Sequence, residues 1–123
     1  MSNSKRILVV EDELLIGLEL VQNLRKHGYE ASDPINSADL IFKAVEEFKP
    51  DLIIMDIKLQ SYNDGIDAAM RIHAFSPTPI IFLTAYSNPE TRSRAERVKP
   101  VAFLNKPVSI ERLVQLIEQT LGD

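Results

Sequence analysis

Apolar residues in this 123-residue chain fall into short solid runs, separated by segments where they recur every three or four positions. The runs are RILVV (6–10), LIIM (52–55), PIIFLTA (79–85) and VAFLN (101–105), with a weaker one in YEASDP (29–34). The first, third and fourth strands in chain order are apolar throughout instead of alternating, which marks strands covered on both faces. Between the first two runs, Leu14, Gly17, Val21 and Leu24 keep helical spacing, and Gly28 stands where a helix C-terminal glycine belongs. Ser37 is placed to cap a second helix with the inward stripe Ile41, Ala44, Val45 and Phe48, ending near Pro50. A third helix is predicted from about Gly65 to Phe75. The stretch SNPE (87–90) has capping-box spacing between Ser87 and Glu90, and Pro89 suits a first turn. Ser109 opens a last helix with Ile110, Leu113, Ile117 and Leu121 inward and Gly122 after it.

Strand followed by helix, five times over, predicts an α/β fold: a single doubly wound (βα)5 domain whose five-stranded parallel sheet carries helices on both faces. Ligands of such open sheets bind beyond the carboxyl ends of the strands. Glu11 and Asp12 follow the first strand, Asp56 ends the third, Thr84 and Ala85 the fourth, and Lys106 and Pro107 follow the fifth. Three carboxylates gathered at one edge repel one another, and a hard divalent cation removes the conflict. The set therefore reads as a small Mg²⁺ site with a lysine beside it. That is the equipment for phosphoryl transfer to a carboxylate, with Lys106 and the Thr84 hydroxyl neutralising the charge that builds on the phosphoryl oxygens. Spacing does not decide which acid attacks; Asp56 is favoured because it ends the central strand.

Composition narrows the classes further. The net charge of −4 gives no support to direct nucleic-acid binding, and the absence of cysteine excludes disulfides and thiolate chemistry. No apolar stretch approaches the roughly 18 residues needed to span a bilayer, and MSNSKR lacks a signal-peptide core, so a cytoplasmic protein is expected. His27 and His73 read as solvated or helix-end residues. Acids and arginines interleave in ETRSRAERVK (90–99), which reads as a solvated face with little apolar area to hold it down.

Taken in order, VVEDE, DLIIMDIKL, DGI, FLTA and FLNKP resemble the receiver domain of two-component response regulators, over residues 5 to 121. The resemblance implies strand order 2-1-3-4-5 and a single receiver domain over 1–123 with no attached effector domain. It makes Asp56 the phosphoacceptor, and makes Glu11, Asp12, Asp56 and the backbone carbonyl of Lys58 the ligands of Mg²⁺ (or Mn²⁺). Thr84 and Phe103 become the switch pair, Lys106 the phosphate-sensing lysine, and the Lys106–Pro107 bond is expected to be cis. Lys58 and Tyr86 flank the site and are read as setting the lifetime of the phosphoryl group. The implied partners are a sensor histidine kinase or phosphotransfer protein and a downstream protein meeting residues 87–121, with homodimerisation on phosphorylation also open. Phosphorylation is expected to shift residues 87–105.

Some positions depart from the family pattern: Glu11 where many relatives carry Asp, Gln60 where many carry Pro, a slightly longer loop over 58–64, and Phe103 in place of Tyr. None removes a chemical group. Competing readings are a Mg²⁺-dependent phosphatase with an aspartate nucleophile, a phosphorylation-independent binding module and a flavodoxin-like nucleotide binder. The phosphatase lacks its usual second acid, since Lys58 stands two residues past Asp56. The nucleotide binder lacks a phosphate-cradling first loop, since EDE stands there.

Overall fold

The computed structural model describes residues 4–59, 65–85 and 88–122. Five parallel strands, β1 (Arg6–Val10), β2 (Glu30–Ala31), β3 (Leu52–Asp56), β4 (Ile80–Thr84) and β5 (Ala102–Asn105), form one sheet in the order β2-β1-β3-β4-β5. The helices are α1 (Leu14–Lys26), α2 (Ile41–Phe48), α3 (Gly65–His73), α4 (Pro89–Glu96) and α5 (Ile110–Leu121). The fold is the doubly wound one the alternation predicts.

Strand alternation sorts the core into two clusters, one on each face of the sheet. Leu8, Val10, Ile53, Met55, Ile80 and Phe82 meet α2, α3 and α4, whereas Ile7, Val9, Leu52, Ile54, Ile81 and Leu83 meet α1 and α5. Every residue of β3 and β4 is buried, which explains their unbroken apolar character.

Local signals set most boundaries. After α1, Gly28 has φ +93°, with Gly28 N–H donating to Arg25 O and Tyr29 N–H to Leu24 O, the paired bonds of a Schellman ending. Ser109 Oγ accepts from Arg112 N–H at 3.1 Å and starts α5. Two expectations need correction. Ser37 does not cap α2: a 3-10 turn over Ala38–Leu40 comes first, Leu40 holds the cap position, and no side chain caps it. The cap of α4 is Asn88, whose Oδ1 accepts from Thr91 N–H at 2.8 Å. Ser87 lies outside the described residues. Leu14, which keeps helical spacing with Gly17, Val21 and Leu24, is 61% exposed at the first residue of α1, whereas those three are buried.

The second strand is as weak as its sequence. It has only two residues, supplemented by an isolated bridge from Val10 to Ile35 that carries the chain to the sheet edge beside Glu11.

Candidate functional site

Counting in twos from the buried ladder places the chemistry. Asp56 follows Ile54 and Glu11 follows Val9 on the α1/α5 face, and Lys106 follows Leu104 in the same way. All three side chains meet at the carboxyl edge. Lys106 Nζ lies 2.6 Å from Glu11 Oε1 and 3.1 Å from Asp56 Oδ2. Thr84 has the opposite parity. It follows Phe82, on the side facing α2–α4, and is 2% exposed.

Backbone contacts hold the group in place. Lys106 N–H donates to Thr84 O at 2.8 Å, which ties the segment after β5 to the end of β4. Glu13 N–H donates to Glu11 Oε2 and Lys58 N–H to Asp56 Oδ1, both at 3.2 Å, fixing the two carboxylates from below. The Lys106–Pro107 peptide bond is cis.

Gly65 is where the loop after β3 returns to the sheet. Its N–H donates to Ile57 O at 2.7 Å, and a Cβ there would stand 2.3 Å from the main-chain oxygen of Asp56. No side chain fits without moving the acceptor strand. Gly65→Ala is expected to lower stability by about 1–3 kcal/mol. An unchanged urea midpoint would show that the loop yields instead.

Electrostatics follow from burial. Glu11 and Asp56 are 4% and 6% exposed. Burial first, then the neighbouring Glu11 carboxylate, push Asp56 up to about 7 against the opposing pull of Lys106. Burial also works to raise Glu11, but hydrogen bonds from Lys106, Asp56 and the Glu13 amide outweigh it and hold Glu11 below the usual carboxylate range. Burial pushes Lys106 down, and the two carboxylates more than reverse this, so its ammonium is held above the ordinary lysine value. Asp12 is raised by burial and by Glu11. The arrangement is thus one ammonium serving two buried carboxyl groups.

Glu11, Asp12 and Asp56 each offer a carboxylate oxygen, all within 4.8 Å of one another. Beside them opens a cavity of about 360 Å³ whose walls include Asp12, Asp56, Lys58, Ala85 and Lys106. All-oxygen donors with room for water suit Mg²⁺, and a divalent cation would offset the mutual repulsion that helps to raise Asp56. The residues fit the metal. Tyr86 and Gln60 lie outside the described residues. Both histidines sit at helix ends: the His27 ring contacts Asn23 O and the His73 ring Thr78 O, each at 2.9 Å. What sequence reading missed is the exposed apolar ridge Leu14, Leu15 and Ile16 directly after the acidic loop, 61%, 81% and 40% exposed. Its signal was available, since helical spacing cannot turn three consecutive residues inward.

The comparisons agree with this geometry. The family described as response regulator receiver domain matches residues 7–118. The transcriptional regulatory protein PdtaR of Mycobacterium tuberculosis is 40% identical over 114 residues, covering 93% of this chain and 55% of PdtaR. The sensory transduction protein LytT of Bacillus subtilis is 34% identical over 118 residues, covering 93% of this chain and 47% of its own. The chain therefore spans about half the length of these curated relatives. Among solved structures, the signal receiver domain of a modulated diguanylate cyclase from Desulfovibrio desulfuricans superposes with TM-score 0.89 at 32% identity, covering 97% of this chain and 94% of that one. A CheY-like receiver domain protein from Methanospirillum hungatei gives 0.90 at 28% identity, with coverage of 97% and 94%. Matching in sequence along nearly its whole length and in the order of its strands, the chain belongs to the response regulator receiver domain family.

Proposed function

We propose that this chain is a phosphorylation switch that takes a phosphoryl group onto Asp56 from the phosphohistidine of a sensor histidine kinase or phosphotransfer protein. The observation that carries this reading is the Lys106 ammonium held between Glu11 and Asp56 at the mouth of a cavity. An Asp56 oxygen attacks phosphorus, the P–N bond to the donor imidazole breaks, and the imidazole leaves as the O–P bond of an acyl phosphate forms. Lys106 then pairs with a phosphoryl oxygen, and Thr84 donates its hydroxyl to another. Bound at Glu11, Asp12, Asp56 and the Lys58 carbonyl, Mg²⁺ would supply positive charge to the same oxygens. The domain promotes its own phosphorylation without being a turnover enzyme.

The first turn of α1 begins directly after Asp12 and Glu13, which line this cavity, and a phosphoryl donor approaching from that side meets it. The ridge of Leu14, Leu15 and Ile16 is the apolar surface it meets there, continuous with the acidic loop. Leu15→Glu is expected to slow transfer from a protein donor about tenfold or more and to leave uptake from acetyl phosphate unchanged. Equal slowing with both donors would place the fault in the site instead.

A shift of Thr84 and Phe103 would change residues 87–121, the surface offered to a downstream protein, which runs from α4 on one face of the sheet past the edge strand β5 to α5 on the other. This reading carries a cytoplasmic setting with it, as the place where such a phosphoryl donor acts. Among the described residues, no helix is long and apolar enough to cross a membrane. The direct test is intact mass after incubation with acetyl phosphate. One phosphoryl group per chain is expected in Mg²⁺ and none with a chelator. Sustained phosphate release over many equivalents would instead make the protein a phosphatase.

A further inference from the structure

The guanidinium carbon of Arg92 lies 5.1 Å from the centroid of the Phe103 ring, within cation–π range. Arg92 is on the first turns of α4, and its Nε is also 3.6 Å from Glu96 Oε2, one turn further on. Phe103 pairs in register with Phe82, so its ring lies on the α4 side of the sheet, the side Thr84 also faces two residues beyond Phe82. Phe82 is fully buried, whereas Phe103 is only partly so. The only buried residue of α4 is Ala95. A helix so lightly anchored is held at its N-terminal half by whatever its polar residues touch.

Building on the receiver reading above, we infer that Arg92 is a latch. Its guanidinium, steadied by Glu96, holds the Phe103 ring in its partly buried position under α4, and the switched state requires this contact to break as the ring turns in toward Thr84. The residue positions the ring and takes no part in the chemistry. A cation over an exposed ring shifts an equilibrium about two- to five-fold. Linkage then makes the unlatched protein respond to phosphorylation, or to a phosphoryl mimic, at a concentration lower by that same factor.

The test uses the whole chain carrying 4-fluorophenylalanine, with the Phe103 signal among its five phenylalanines identified through Phe103→Leu. Beryllofluoride with Mg²⁺ serves as the phosphoryl mimic, and the solvent isotope shift of the fluorine reports ring exposure. Arg92→Met keeps the aliphatic stem and loses the charge. It is expected to move the unliganded signal toward the beryllofluoride position and lower the titration midpoint about two- to five-fold. Arg92→Lys, which keeps a cation, should lie between it and wild type. A wild-type response together with an identical resting signal and midpoint in Arg92→Met would overturn the latch. So would a rise in midpoint, or a Phe103 signal that ignores beryllofluoride in the wild type. The receiver reading stands or falls separately, on phosphoryl uptake measured by mass.

Discussion

Asp56→Asn is expected to gain no phosphoryl group where wild type gains one, and to melt at a higher temperature than wild type in metal-free buffer at pH 8. The first outcome follows from removing the nucleophilic oxygen, and intact mass reads it directly. The second follows from burial. In the folded protein Asp56 titrates at about 7 against an ordinary aspartate value of 3.8. Between those values the folded state holds a proton that the unfolded chain has lost. Stability tied to this group is therefore fully present below about pH 4 and declines as pH rises through 7. At pH 8 the wild type carries a second buried carboxylate beside Glu11. Asparagine keeps the shape and gives Glu11 a permanent N–H donor in place of the proton. A gain of about 1–3 kcal/mol is expected at pH 8, shrinking toward zero at pH 5. Urea denaturation at the two pH values measures both. Saturating Mg²⁺ should remove the wild-type pH slope and leave the variant little changed. A wild-type stability that does not fall between pH 5 and 8 without metal would show that Asp56 is ionised throughout.

Lys106→Ala should have the opposite sign on stability and nearly as large an effect on chemistry. The ammonium is the cation shared by two buried carboxyl groups, at 2.6 Å and 3.1 Å. Removing one partner of a buried ionic cluster costs far more than the cluster contributes, about 3–5 kcal/mol, because the remaining charges stay out of water. Here the penalty depends on pH. Protonation of Asp56 relieves part of it at pH 5, so the loss in urea experiments should be largest at pH 8, and Mg²⁺ should restore part of it. Phosphoryl uptake should slow by about 10²-fold, the usual cost of deleting a donor aimed at developing negative charge. A variant as stable as wild type at pH 8 would mean that water reaches the carboxylates and that the cavity is wetter than its geometry implies.

The sheet was legible because covered strands have an unmistakable composition. LIIM and IIFL leave no polar face, and each ends on a side chain that has no business in a core. Asp56 could be singled out on that ground alone, and the coincidence of Glu11, Asp12, Thr84 and Lys106 at the other strand ends needed only the topology. What sequence could not give was contact. The preference of Lys106 for Glu11 over Asp56, 2.6 Å against 3.1 Å, depends on side-chain reach that spacing does not encode. The misplaced caps have a shared cause. Serine, asparagine and a 3-10 turn compete for the same orphan amides at a helix start, and Asn88 won at α4 while Ala38–Leu40 took over before α2.

The opposite parity of Asp56 and Thr84 has a consequence for rewiring. The proposed acceptor carboxylate belongs to the wall shared with α1 and α5, and the proposed switch hydroxyl to the wall shared with α4. On the proposed reading the donor is met on the α1 side, while the response begins on the α4 side and reaches α5 round the β5 edge. The exposed first turn of α1 and the exposed residues of α4 stand on opposite faces of the sheet, so the energies of substitutions confined to these two surfaces should add. A designer could exchange the donor-facing ridge for one matched to a new upstream protein, and separately recut the reader-facing helix, without either change detuning the other. Only the threshold between them, the single step from Leu83 to Thr84, is common property.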